Sequence, residues 1–214
     1  MYRCEAASVE GFVQQVAVSY VGQGYWFYVS GIIPKGKDPA AVDAKLIARY
    51  GIDITKWARA RRKRAGLGNM QYLRHGRFFV LLATHGQHPF FEDEPGFRDA
   101  RRHPIQFHGY SIGYRRGADG KSHPSVRIHV QTYRQLKAYL LDLALRRPVE
   151  VLAEQFRSLR FVPYAPIRRQ YLNLLRAVNR QRQIANLEMV PIACLRLRRR
   201  PIKVFESRIL EAAA

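Results

Sequence analysis

Apolar positions along this chain fall into short, differently spaced blocks, and the spacing of each block predicts an element. Residues 13–33 are dense in Val, Tyr, Phe and Trp and are broken by Gly22-Gln23-Gly24. That pattern predicts two strands joined by a tight hairpin. Pro34-Lys35-Gly36-Lys37 reads as a turn, and Asp38-Pro39 opens a helix with an N-cap and a proline at its first position. Val42, Leu46, Ile47 and Tyr50 mark the buried face of that helix, and Gly51 ends it. Thr55 caps a second, very basic helix over 56–64, closed by Gly66 and Gly68. Two strands follow, 70–74 and 77–84, with His75-Gly76 between them. The second is almost continuously apolar, as expected of a central strand covered on both faces. After a loop of about 20 residues, a length often tied to function, strands are expected over 105–114 and 126–130 and a helix over 131–145. Leu136, Leu140 and Leu143 form the inner face of that helix.

From 149 onward the pattern is helical. A short helix over 149–159 leads to the rigid connector Pro163-Tyr164-Ala165-Pro166. A strongly amphipathic helix over 167–183 comes next, and an Arg-rich extended arm ends the chain. The order of elements predicts an α+β protein: an antiparallel, ferredoxin-like sheet domain over 1–147, and a basic, mainly helical C-terminal region over 148–214.

Charge changes this picture more than any motif. The 214 residues hold 37 Lys and Arg, 29 of them Arg, against 16 acids, a net +21. Spread over a folded surface of roughly 10,000 Å², that is one uncompensated positive charge per ~500 Å². Such self-repulsion opposes folding, and a polyanion relieves it. Nucleic acid is the expected partner, because phosphate neutralisation releases counterions and the arginine fork grips phosphate bidentately. The excess is graded: +1 over residues 1–50, +4 over 51–100, +7 over 101–150 and +9 over 151–214. The N-terminal quarter therefore reads as scaffold and the C-terminal half as contact surface. The mixture of 47% hydrophobic and 12% aromatic residues excludes a disordered basic tail. No apolar stretch approaches the roughly 20 residues of a membrane span, so no membrane partner is expected. Cys4 and Cys194 lie far apart and form neither a metal motif nor a disulfide framework, which suits a reducing, cytoplasmic setting.

Within the helix over 167–183, Tyr171, Leu174, Leu175 and Val178 form the core stripe. Arg169, Asn173, Arg176 and Arg180 form an outer stripe, and no acid occurs between Glu154 and Glu188. Cations for phosphate and amides for base edges are what groove or backbone contact requires. Arg182 extends the basic set, and Arg196, Arg198, Arg199, Arg200 and Lys203 form the arm. Arg59, Arg62 and Lys63 make a second patch, in which Trp57 could stack on a base but is more strongly expected to anchor the helix in the core. The aromatic run Tyr20, Tyr25, Trp26, Phe27, Tyr28 is expected to be buried on both faces rather than to form a stacking platform. His85 and His88, with Glu92 and Glu94, carry the residue types of a divalent-ion site for Mg or Mn, although their spacing belongs to a turn and not to a rigid helix.

The succession of strand 25–31, helix 40–50, strand 70–74, tight turn and apolar strand 77–84 resembles the first half of the HUH single-strand nucleases, in particular the single-tyrosine transposases. The resemblance covers about 60 residues and lies in the order of elements. It implies a ferredoxin-like nucleic-acid binder and, as an alternative function, a metal-dependent single-strand endonuclease or transposase. Where that family carries a His-hydrophobic-His motif, this chain has Arg77-Phe78-Phe79. A second partial match, Arg127-Ile128-His129, precedes a helix bearing Tyr133 and Tyr139. Under the resemblance, Tyr139 takes the nucleophile's place and His129 that of a metal-binding histidine. The leading expectation is a non-catalytic binder of structured RNA or of hairpin or single-stranded DNA. It would act as a ribonucleoprotein or mobile-element component, within a larger ribonucleoprotein or as a homodimer, with no cofactor.

Overall fold

The computed structural model describes residues 2–117 and 119–205. Its first element corrects the sequence reading. Residues 13–20 are helical, not a strand. Ser8 caps helix α1 (Val9–Gln14) by accepting from the Gly11 N–H at 3.0 Å. The helix continues as a π-helical segment, Gln15–Tyr20, and a 3-10 turn, Val21–Gln23. Phe12, Val13, Val16, Ala17, Tyr20 and Val21 are all buried. Their i, i+1, i+4, i+5, i+8, i+9 spacing is a helical stripe that outweighs the strand preference of Val and Tyr. Gly24 turns the chain with φ 95° into β1 (Tyr25–Ile32). This is a left-handed conformation that glycine adopts without a Cβ penalty.

The remaining elements build one four-stranded sheet and one three-stranded sheet. α2 (Pro39–Arg49) starts at Asp38, whose carboxylate accepts from the Ala40 and Ala41 N–H groups. α3 (Lys56–Arg64) starts at Thr55, which accepts from the Ala58 N–H. The hairpin β2 (Met70–His75) and β3 (Phe78–Thr84) follows, then α4 (Phe90–Asp93) and β4 (Arg98–Asp99). The sheet order is β2-β3-β1-β4 with antiparallel neighbours. The chain order β1-α-β2-β3-α-β4 on that sheet is the ferredoxin-like arrangement, with its second helix and last strand cut to four and two residues. Central β3 is covered on both faces, as its composition predicts: Val80, Leu81, Leu82 and Ala83 are buried. One face carries Tyr50, Ile52, Met70, Tyr72 and Phe90. On the other, Phe12 of α1 meets the Phe78 ring edge-on. The outer edge of β2 is covered by residues 4–6, which exchange backbone hydrogen bonds with Arg74 at 2.7 Å.

The expected single strand over 105–114 is a hairpin, β5 (Ile105–Phe107) and β6 (Tyr110–Arg116), which pairs onward with β7 (Ser122–Ile128). His108 and Gly109 both have positive φ, 44° and 78°. That is the two-residue turn geometry that matches strand twist. α5 (Val130–Arg146), α6 (Val149–Arg157) and α7 (Ala165–Ile184) complete the chain, with a 3-10 turn at Ile192–Cys194. The described residues divide into two compact units: 2–105, 112–117, 119–124 and 202–205 in the first, and 106–111 and 125–201 in the second. α5 thus belongs with α6 and α7, and the expected boundary at 147 lies inside the second unit. Cys4 and Cys194 are free thiols. Among the described residues no helix is long and apolar enough to cross a membrane.

Candidate nucleic-acid interface

In the second unit, α7 has the two faces its sequence predicts. Ile167, Tyr171, Leu174, Leu175 and Val178 are buried. The Tyr171 hydroxyl donates to the Phe161 carbonyl at 2.9 Å, and burial holds that hydroxyl well above the ordinary tyrosine range. Gln170 locks the helix to β7 by accepting from the Ile128 N–H and donating to the Ile128 carbonyl. Arg169, Asn173, Arg176 and Arg180 are exposed, and Arg168 lies exposed beside them. From Arg169 to Arg180 the stripe is ~16 Å long at 1.5 Å per residue. Among the described residues it meets no acid; its one internal contact is a long 3.4 Å bond from Arg176 to the Asn173 side-chain oxygen.

Arg182 is a correction. It is 3% exposed, and its guanidinium donates to the carbonyls of Ala144 (2.7 Å), Arg147 (2.9 Å) and Glu188. It fastens the ends of α5 and α7 together and has no surface to offer a phosphate. Helical phase is the signal that separates it: two residues past Arg180 is ~200° around the helix. The arm is also tied down in part. Cys194 and Leu195 are buried, and the Arg199 guanidinium sits 4.5 Å from the Tyr164 ring centroid. Arg196, Arg198, Arg199, Arg200 and Lys203 are exposed.

In the first unit, α3 splits its charges by face. Arg59 donates to the Ile52 carbonyl at 2.8 Å, and Arg62 makes two bonds to the Gly68 carbonyl, at 2.8 and 3.2 Å. Both are half-buried and serve to hold the helix, whereas Lys56, Arg61, Lys63 and Arg64 are exposed. The far end of α3 is clasped. Gly68 N–H donates to the Gln87 carbonyl and Gln87 N–H to the Gly66 carbonyl. The crossing needs Gly86, with φ 130°, because a Cβ there would lie 2.5 Å from the Gly68 nitrogen. Trp57 is 78% exposed, so the expected core anchor is not one.

The histidine–acid loop does not gather a metal-binding set, and among the described residues no three His, Cys, Asp or Glu side chains cluster so as to hold an ion. His88 Nδ1 accepts from the Phe90 N–H at 3.1 Å, and burial followed by the Arg62 charge lowers its pKa below the ordinary histidine value. Glu94 accepts from the Tyr50 hydroxyl at 3.0 Å, and the neighbouring Asp93 pairs with Arg49 at 3.1 Å. His85 and Glu92 are exposed. In the second unit, His129 stands before the first turn of α5, and Tyr139 lies ten residues on, ~15 Å along the helix axis. The Tyr139 hydroxyl donates to the Gln155 side chain at 3.2 Å. The aromatic run is buried at Tyr20, Tyr25 and Tyr28 and half-buried at Trp26 and Phe27. Arg101, paired with Asp99, covers Trp26 at 4.4 Å.

No protein family, curated protein or solved structure matches the chain.

Proposed function

We propose that this protein binds nucleic acid, either structured RNA or hairpin or single-stranded DNA, and that it does so without catalysis, as part of a ribonucleoprotein or a mobile element. The observation that carries the reading is the outer face of α7, where Arg168, Arg169, Asn173, Arg176 and Arg180 are exposed on a helix that contains no acid. A solvated helix face ordinarily mixes both signs. An unbroken cationic stripe on a rigid, core-anchored helix instead offers phosphate forks at fixed spacing.

The test is fluorescence anisotropy with labelled hairpin RNA and hairpin DNA across a salt series. Contact with about six to ten phosphates lowers affinity by some 10³–10⁵ between 50 and 200 mM salt. Replacing Arg169, Arg176 and Arg180 by Ala reduces the log–log salt slope by about 3 and leaves the melting temperature nearly unchanged, since all three are exposed. A salt-independent affinity, or a triple variant with unchanged slope, overturns the proposal.

A further inference from the structure

In α3 the fold uses one face and leaves the other bare. Arg59 and Arg62, three residues apart, point their guanidinium groups at backbone carbonyls of the same unit. Trp57, Arg61 and Arg64 recur at i, i+4, i+7 and so share another stripe, ~10 Å long. All three are exposed, and among the described residues none of their side chains makes a hydrogen bond, ion pair or ring contact. The chain's other tryptophan shows the contrast. Trp26 is half-buried, donates its indole N–H to the Val21 carbonyl at 3.1 Å, and lies against Tyr114 and under Arg101. Trp57 instead presents an unused aromatic surface to water, in a nine-residue helix with six basic side chains and no acid.

We infer that Trp57 is a stacking platform for an unpaired nucleobase, with Arg61 and Arg64 taking the phosphates that flank it. The inference rests on the nucleic-acid reading and adds a second, chemically different contact to it. An indole face and a base face attract whatever the base, and a basic groove or ridge alongside tracks the backbone. The occupant is a single strand and not a duplex, because a paired base has both faces covered by its neighbours in the stack. A second copy of this chain is a poor occupant, since two such cationic helices repel. The loop crossing at Gly86 and the cap at Thr55 hold the helix at both ends, so the platform is presented on a fixed element.

The chain's two tryptophans make the experiment direct. The full chain is titrated with oligouridylate and with oligothymidylate of about twelve nucleotides, within the range of single-strand site sizes. A blunt duplex and polyglutamate serve as comparison probes. Tryptophan emission and the anisotropy of labelled oligomer are read together. Stacking predicts quenching by either single strand, little quenching by duplex or polyglutamate, and loss of quenching in Trp57→Phe, where only Trp26 emits. Trp57→Ala weakens single-strand affinity about 5- to 150-fold, and Trp57→Phe recovers part of it. Quenching by oligouridylate alone assigns the platform to RNA, and quenching by both makes it blind to the sugar. Binding without quenching, an unchanged affinity in Trp57→Ala, or equal quenching by duplex or polyglutamate overturns the inference and leaves the α7 reading standing. No anisotropy change with these oligomers or with hairpins overturns the nucleic-acid reading itself, and this inference with it.

Discussion

Asp43 is 5% exposed and accepts from three neighbours: the Tyr72 hydroxyl at 2.6 Å, Arg74 Nε at 3.0 Å and the Cys4 thiol at 3.4 Å. Arg74, equally buried, completes its fork on Glu5 with two 2.8 Å bonds and donates to the Gly76 carbonyl. Burial, then the Asp43 charge, pushes the Cys4 thiol up to about 12, so it stays protonated and unreactive near neutral pH. The group ties α2, β2 and the N-terminal segment together. Removing Asp43 leaves the buried Tyr72 hydroxyl and Arg74 Nε without an acceptor while Glu5 still faces the Arg74 charge, so Asp43→Ala is expected to cost about 2–4 kcal/mol, read as a drop in urea midpoint. None of this was legible beforehand. Asp43 and Arg74 are 31 residues apart, and nothing in their local spacing marks them as partners. Arg176 and Arg180 could be read from the sequence because their neighbours along the helix share their face. Trp57 could not, because propensity says what a tryptophan prefers and not whether a surface exists to receive it.

Elements were legible where periodicity and propensity agreed and misread where they conflicted. α2, β3 and α7 carry caps, continuous apolar runs or clean stripes, and each forms where expected. α1 was lost because Val16, Val18 and Tyr20 favour a strand residue by residue, while the buried set Phe12, Val13, Val16, Ala17, Tyr20 follows a helical period. The β5–β6 hairpin was hidden because its turn is His108-Gly109, which is not one of the Asn-Gly, Asp-Gly or Gly-Gly pairs that mark a two-residue hairpin. At this scale Gly86 is the sensitive position. A methyl group there meets backbone at 2.5–2.7 Å from residues 66–68, which cannot yield without opening the clasp on α3. Gly86→Ala is therefore expected to lower the melting temperature by several degrees, as about 1–3 kcal/mol of strain does in a protein of this size. In the same variant, amide protection is lost at Gly68 and Gln87, checked by hydrogen exchange.

At the scale of the whole molecule, the net +21 must be carried by a fold with six Arg–carboxylate ion pairs among the described residues, most with at least one exposed partner. Exposed pairs contribute little to stability, so long-range repulsion is left largely unopposed. Salt screens that repulsion over about 10 Å at 0.1 M and leaves the buried Arg74–Asp43 pair nearly untouched. The melting temperature is therefore expected to rise with sodium chloride from about 20 to 500 mM, measured by circular dichroism; a fall would place the net balance with attractive surface pairs instead. The same salt weakens phosphate binding, so stability and affinity move in opposite directions. The path of the chain carries a separate consequence. Residues 125–201 leave the first unit and the chain then returns to it, where the Val204 carbonyl accepts from the Ala7 N–H at 2.9 Å. The second unit is built from two separate stretches of chain, 106–111 and 125–201, so the protein cannot be dissected by a single cut. A fragment stopped at residue 147 keeps α5 without the α7 it packs on, and loses the segment that meets Ala7. Neither unit is a continuous segment, so neither can be obtained by truncation.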